Sequence, residues 1–120
     1  MVESADMETK EQAEAAAAAL EAAKGGDVKM YDVRGVSALA DFFVVATGAA
    51  APHLKALATA ARTAAAQVGC RTLRQSGDPE SGWIAVDCGG FVVHVFSREA
   101  RAYYALERLW ERPAQDGGAR

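Results

Sequence analysis

Two short apolar runs near the carboxyl end, residues 83–88 and 91–96, are each interrupted by one polar residue and are separated by Gly89-Gly90. Both runs are rich in β-branched and aromatic residues, and a Gly-Gly pair suits a two-residue hairpin turn. A turn of that length sets the strand register and gathers an entirely apolar set on one face: Ile84, Val86, Cys88, Phe91, Val93 and Val95. We expect this face to be core.

The other face of the predicted hairpin combines aromatic rings with a carboxylate and an imidazole. It carries Trp83, Ala85, Asp87, Val92, His94 and Phe96. Large aromatic side chains among polar groups are typical of a surface that meets a partner protein. Four residues are therefore candidate partner-binding residues on this face: Trp83, Asp87, His94 and Phe96.

A helix of about four turns is predicted after the hairpin, beginning at the N-cap Ser97 and ending before Pro113. Its charged residues, including Arg101, are expected on the outer side, and an inward stripe is expected at Tyr103, Leu106 and Trp110. Tyr104 and Arg108 lie four residues apart on one face, where a phenol beside a guanidinium can contact a partner. Both residues are therefore also candidate partner-binding residues.

The first half of the chain contains two further helical patterns. Thr9 and Gln12 form a potential capping box that starts an alanine-rich helix, and Gly25-Gly26 ends it. Residues 52–69 are predicted to form a second helix, with an inward stripe at Leu54, Leu57, Ala61, Ala65 and Val68.

Short β-branched and aromatic runs predict strands at residues 28–33 and 42–47, with Ser37 capping about one helical turn between them. Residues 71–75 are a weaker strand. The resulting order predicts a single α/β (α+β) domain over residues 1–120, a mixed sheet flanked by helices. Residues 1–8 and 114–120 have no such pattern and are expected to be flexible.

Charge and composition narrow the class of partner. The net charge of −3 argues against direct DNA binding, which needs clustered positive charge on the protein. No apolar run is long enough for a membrane span, and the amino terminus lacks the regions of a signal peptide, so we expect no membrane contact and a cytoplasmic location. Cys70 and Cys88 lie in apolar surroundings and are interpreted as reduced structural thiols.

The residues that could carry chemistry do not form a recognisable site in the sequence. His53, Cys70, Cys88 and His94 belong to four different elements, so no metal site and no cofactor are expected. Cys88 and His94 face opposite ways in the predicted hairpin, which argues against a Cys–His nucleophile. Three carboxylates near strand ends could in principle form an acidic site, although turn capping explains each singly: Asp32, Asp41 and Asp87.

Several segments agree in order and spacing with one protein family. They are DVRGVS (32–37), ADFFVVATG (40–48), WIAVD (83–87), VVHVF (92–96) and ARAYYALERLW (100–110). Together they closely resemble the Iojap proteins, the ribosomal silencing factor S family, and the resemblance extends over residues 13–110.

The resemblance implies a nucleotidyltransferase-like Iojap fold and a factor that is not an enzyme. It implies binding to the large ribosomal subunit through ribosomal protein L14, at the face where the small subunit joins. Bound there, such a factor sterically blocks the small subunit and represses translation when nutrients are short, with assistance to large-subunit maturation as a further role. A homodimer of the free protein is also consistent with the family.

The alternative is a nucleotidyltransferase-like enzyme that acts on a nucleotide, with Asp32, Asp41 and Asp87 as metal-binding carboxylates. The residues argue against it, because Gly48-Ala49 is followed by an alanine-rich helix without Asp or Glu. In such enzymes the glycine turn is followed by a spaced pair of carboxylates.

Overall fold

The computed structural model describes residues 8–38 and 40–105. Within these ranges the chain forms helices α1 (Thr9–Ala22), α2 (Ala51–Gln67) and α3 (Arg98–Tyr104). The strands are β1 (Gly26–Asp32), β2 (Phe42–Gly48), β3 (Arg74–Asp78), β4 (Trp83–Asp87) and β5 (Phe91–Ser97), and a single 3-10 turn (Pro79–Ser81) joins β3 to β4.

The five strands form one mixed sheet in the order β1-β2-β5-β4-β3. The central pair β2 and β5 is parallel, and the other three pairs are antiparallel. The predicted α+β class is therefore confirmed. Because β2 and β5 lie in the middle, residues 91–96 are covered on both faces, which explains their nearly continuous apolar character.

The predicted hairpin register is confirmed. The Cys88 N–H donates to the Phe91 carbonyl at 2.9 Å across the Gly89-Gly90 turn, and Val86 pairs with Val93. All six residues assigned to the apolar face are buried: Ile84, Val86, Cys88, Phe91, Val93 and Val95.

Helices α1 and α2 pack on this apolar face and complete the main core. In α1 the inward residues are small, since Ala13, Ala16 and Leu20 are fully buried. In α2 the predicted stripe is largely confirmed by the buried residues Leu54, Leu57, Ala58, Ala61 and Ala65. Alanine at so many contact positions lets both helices approach the sheet and each other closely.

Of two local predictions for the first half of the chain, one is wrong and the other is confirmed in part. The capping box of α1 is formed by Glu8 and Glu11 rather than by Thr9 and Gln12. Gln12 is occupied elsewhere, because its amide donates to the Val68 carbonyl at 3.2 Å. The predicted cap at Ser37 is formed, because its hydroxyl accepts the Ala40 N–H at 3.3 Å. The helical turn predicted to follow it includes residue 39, which lies outside the described residues.

The edge strand β3 begins later than predicted, at Arg74 instead of residue 71. Its register is set by antiparallel pairing with β4, in which Gln75 lies opposite Val86 and Gly77 opposite Ile84. All five of its residues are exposed. Burial of apolar side chains therefore does not fix the start of this strand, and the hydrophobic pattern of the sequence could not locate it.

Helix α3 packs on the opposite face of the sheet and is shorter than predicted. The Ser97 cap is confirmed, since its hydroxyl accepts the Ala100 N–H at 3.0 Å. The helix ends at Tyr104 because Ala105 adopts a left-handed conformation with φ of 49°. The predicted positions Leu106, Arg108 and Trp110 lie outside the described residues.

The inward side of α3 also differs from the prediction. Ala100 is buried and packs in a second, smaller core with Tyr31, Val33, Val45 and Phe96. Tyr103, which was expected to face inward, is 81% exposed. The stripe is displaced because the side facing the sheet carries residues 97, 100, 101 and 104, which recur at helical spacing.

Candidate functional site

An aromatic cluster lies on the sheet face opposite α1 and α2, and we define it as Phe43, Trp83, His94, Phe96 and Tyr104. The Trp83 ring centroid lies 5.0 Å from that of Phe96 and 4.9 Å from that of Tyr104. His94 contacts Phe43 edge-on at 4.9 Å. Ring pairs at these separations attract one another beyond simple area burial, so these contacts stabilise the cluster.

Two glycines allow the edge strand and α3 to approach Trp83. Gly77 on β3 has φ of 81°, and a Cβ at this position would overlap the Trp83 carbonyl oxygen. Gly82 has φ of 86°, and its Cβ would lie 2.7 Å from the Ser97 hydroxyl at the start of α3. Only glycine adopts these positive φ values without strain, so the backbone around Trp83 depends on both.

A hydrogen bond inside the cluster links two of the candidate residues. The Trp83 indole N–H donates to Nδ1 of His94 at 3.2 Å. Burial lowers the pKa of His94 to about 4, because the charged imidazolium would lose its hydration. His94 is therefore neutral at physiological pH, with its proton on Nε2, since Nδ1 accepts.

Exposure divides the candidate residues into two groups. Phe96 and His94 are only 1% and 8% exposed, whereas Trp83 is half-buried and Tyr104 is 44% exposed. Phe96 and His94 are therefore not exposed, because aromatic neighbours and α3 cover them, and the partner contact predicted for these two residues stays a prediction. Among the members of the aromatic cluster that are candidate residues, Trp83 and Tyr104 are the accessible ones, and we call these two residues the rim.

A groove of about 220 Å³ runs between this rim and the edge strand. It is lined by Ser76, Gly77, Ser81, Trp83, Ala85 and Tyr104. The aromatic rings and small residues of this groove can accept an apolar side chain of a partner. The hydroxyl groups beside them can hydrogen-bond to polar groups next to that side chain.

Asp87 lies on the same face as Trp83 but apart from the aromatic cluster. It is four residues further along β4, a separation of roughly 13 Å. Its Oδ1 accepts the Gly89 N–H at 2.9 Å, which is a local turn contact. The structure therefore gives Asp87 a role in the hairpin turn, and its contact with a partner stays a prediction.

Arg101 is a structural residue that the sequence reasoning placed wrongly on the outer side of α3. Its side chain is only 10% exposed and forms an ion pair with Asp27 at 3.3 Å. It also donates to the Thr47 hydroxyl at 2.8 Å. These contacts hold α3, which carries Tyr104, against the start of β1 and the end of β2. Helical periodicity in the sequence does not reveal contacts between such distant segments.

Phe43 was also missed as a member of the cluster, although the sequence contains a signal for it. Phe42 and Phe43 are adjacent in a strand, so one of the two rings must lie on each face of the sheet. Phe42 packs in the main core and Phe43 against the smaller one.

The three carboxylates of the alternative prediction lie toward one end of the sheet but do not converge. Asp32 is bound by Arg34 at 2.6 Å, and that hydrogen bond lowers the pKa of the Asp32 carboxyl. Asp87 is separated from Asp41 by the intervening strand β5. Among residues 8–38 and 40–105, no group of three His, Cys, Asp or Glu side chains could hold a metal ion.

The remaining nucleophile and ligand candidates have structural contacts. Both nitrogens of His53 are bonded to backbone, to the Ala49 N–H and the Ala23 carbonyl, each at 2.9 Å. Cys70 and Cys88 are free thiols, and burial raises the pKa of Cys88 to about 12. A thiol held protonated is a poor nucleophile.

Across the part of the chain that the structure describes, no helix is long and apolar enough to cross a membrane.

Comparisons with known proteins agree on one family. Its profile, described as "Ribosomal silencing factor during starvation" (RsfS), matches residues 6–118. The ribosomal silencing factor RsfS of Bacillus subtilis is 36% identical over 95 residues, which are 79% of this chain and 80% of that protein. A crystal structure of a Chromobacterium violaceum protein has a TM-score of 0.83 and 34% identity, covering 88% of each chain.

A more distant relative is the mouse protein named "Mitochondrial assembly of ribosomal large subunit protein 1". It is 32% identical over 73 residues, which are 58% of this chain and 32% of the mouse protein. With a family match over nearly the whole length and close structural similarity, this chain belongs to the ribosomal silencing factor (RsfS) family, the Iojap proteins.

Proposed function

We propose that this protein binds the large ribosomal subunit through ribosomal protein L14 and blocks joining of the small subunit, so that translation is repressed. The observation that carries the proposal is the RsfS family match over residues 6–118. The name of the mouse relative, which concerns assembly of the large subunit, supports the choice of that subunit. It also supports a further role in large-subunit maturation.

The half-exposed rim of Trp83 and Tyr104 is the proposed contact with the ribosomal protein. Aromatic side chains on a rigid support lose little conformational freedom on binding, which is why they serve as interface anchors. The stacking of Trp83 on Phe96 provides that support. Arg108, outside the described residues, and Asp87 remain predicted partner residues from the sequence.

The mechanism needs occupancy of a surface and no chemical step. A net charge of −3 favours contact with a basic ribosomal protein over contact with RNA phosphates. In the described residues each carboxylate of the sheet strands has a bonding partner in the chain, namely Asp27, Asp32, Asp78 and Asp87, and burial keeps His94 neutral. We therefore propose a binding factor, acting in the cytoplasm where it meets ribosomal subunits.

We also propose that the free protein forms a homodimer. The edge strand β3 supports this, because all five of its residues are exposed and its outer backbone groups are available for pairing. Light scattering after size-exclusion chromatography measures the mass directly. A monomer at all concentrations up to those of the binding assay would contradict this part of the proposal.

The central experiment is co-sedimentation with purified large and small subunits, using Trp83→Ala as the test variant. Loss of an aromatic anchor should weaken large-subunit binding by about 2 kcal/mol, roughly 30-fold. Because Trp83 is only half-buried, the free energy of unfolding should fall by less than the roughly 3–5 kcal/mol of an emptied core site. Lys55→Ala is the matched control, because Lys55 is exposed on α2 at the opposite face of the sheet.

Three outcomes would contradict the proposal in different ways. Pelleting of the wild type with small subunits only would contradict the choice of subunit. A fall in the stability of Trp83→Ala by about 3–5 kcal/mol would place Trp83 in the core rather than at a contact. Turnover of a nucleotide with a divalent metal would support the enzyme alternative.

A further inference from the structure

His94 is a polar side chain enclosed almost entirely by rings. It is 8% exposed and contacts Phe43, Trp83 and Phe96. Enclosing an imidazole in apolar surroundings is unfavourable unless its polar atoms are hydrogen-bonded. An apolar ring could fill the same space but could not accept a hydrogen bond, whereas Nδ1 of His94 accepts one from the Trp83 indole at 3.2 Å.

We propose that His94 is a positioning residue, whose Nδ1 holds the Trp83 indole in the orientation that binds the ribosomal partner, without itself touching that partner. This inference rests on the proposed function, because it assigns the supporting element of the same contact surface.

The contacts around Trp83 show why a directional bond is needed. Phe96 and Tyr104 lie at 5.0 Å and 4.9 Å from the indole centroid, and their planes are tilted from it by 35° and 50°. Such apolar contacts fill space but do not distinguish the nitrogen edge of an indole from its other edges. The 3.2 Å bond to His94 distinguishes them, because it requires Nε1 to point into the cluster.

The same indole lines the groove that also contains Ala85 and Tyr104. A change in the ring orientation would therefore change the shape of the groove and of the accessible rim together. Because neutral Nδ1 is an acceptor, the imidazole can hold the indole N–H under physiological conditions, and burial keeps it neutral by lowering the pKa of His94 to about 4.

The test uses His94→Phe and His94→Asn in the full-length protein. Phenylalanine keeps a planar ring but has no acceptor, whereas the asparagine carbonyl oxygen can lie close to the former position of Nδ1. The indole N–H resonance of Trp83, assigned by its absence in Trp83→Phe, should shift and exchange faster with solvent in His94→Phe. In His94→Asn it should remain near the wild-type position.

Binding of the large subunit should follow the same order. We expect affinity to fall roughly three- to tenfold in His94→Phe, the effect of losing one neutral hydrogen bond, and to recover in His94→Asn. In a Trp83→Phe background, His94→Phe should produce no additional loss, because the bond that it removes is already absent. Should His94→Phe fail to fold, His94→Leu replaces it.

An unchanged indole resonance in His94→Phe would overturn the inference, as would an additional binding loss in the Trp83→Phe background. Failure of the wild type to bind large subunits is a separate result. It would contradict the proposed function and the ribosomal partner that the inference names. The indole N–H resonance of Trp83 in His94→Phe would still decide whether His94 orients Trp83.

Discussion

Burial of the neutral His94 imidazole links one residue to the stability of the whole protein. The folded state holds the pKa of His94 at about 4, against an ordinary value of 6.5. Between these two pH values the unfolded chain binds a proton that the folded chain does not bind. Stability must then fall as the pH falls through this window.

We expect the free energy of unfolding to decrease by up to about 3 kcal/mol between pH 6.5 and pH 4 because of His94. Urea denaturation at several pH values measures this decrease. His94→Asn has no titrating imidazole and should show a smaller decrease over the same range. Equal pH dependence in the two proteins would show that other groups account for the effect.

Gly77 supplies a second test at the level of a single residue. Gly77→Ala should destabilise the protein, since the new Cβ would meet the Trp83 carbonyl oxygen and φ is 81°. Gly35→Ala is the control: φ there is 93°, but nothing lies within 4 Å of a Cβ. The control should lose about 1 kcal/mol from backbone strain alone. Thermal melting with a larger loss for Gly35→Ala would contradict this steric account.

Helix α3 is too short to be stable by its own hydrogen bonds and depends on its attachments. Ser97 caps its start, Ala100 packs in the smaller core, and Arg101 joins it to Asp27 and Thr47. Tyr104 is at the end of this helix, so the position of its ring in the proposed contact depends on how firmly α3 is held.

Removing the Arg101 attachment should therefore affect both stability and binding. We expect Arg101→Ala to lower the free energy of unfolding by about 1.5–3 kcal/mol, as for hydrogen bonds that involve a charged group. Large-subunit affinity should fall with it, because Tyr104 loses its fixed position. Arg98→Ala, an exposed neighbour in the same helix, should change stability by less than about 0.5 kcal/mol. Equal effects of the two variants would show that Arg101 does not anchor α3.

At the scale of the whole molecule, the sheet separates two differently covered faces. The face under α1 and α2 forms the main core, and the face under α3 leaves the rim of Trp83 and Tyr104 accessible. On the proposed function, the protein docks through the face that carries this rim and obstructs the small subunit with the rest of its volume.

Obstruction of this kind predicts a stoichiometric effect. Inhibition of subunit joining, followed by light scattering, should rise with factor concentration along the same curve as occupancy of the large subunit. It should disappear when the factor is removed. Inhibition by substoichiometric factor that persists after removal would contradict steric blocking and indicate a catalytic modification.

The chain's local pattern determined the hairpin and the class of fold. When the two apolar runs, residues 83–88 and 91–96, are joined by a two-residue turn, the pairing register is fixed and one face of the hairpin is entirely apolar. The family resemblance of five segments likewise required no coordinates. Trp83 and Tyr104 are candidates from the sequence alone, because each is a large aromatic residue on a face that lies outside the predicted core.

Only the tertiary structure decided which of those candidates are accessible and what supports them. Periodicity shows which side chains share a face, but burial depends on which other element covers that face. Helix α3 covers Phe96, and Arg101 is drawn inward by Asp27 and Thr47, which lie more than fifty residues away in the chain. Contacts over such sequence separations are made by packing of the sheet and helices, so His94 could be distinguished as a support of Trp83 only in the folded molecule.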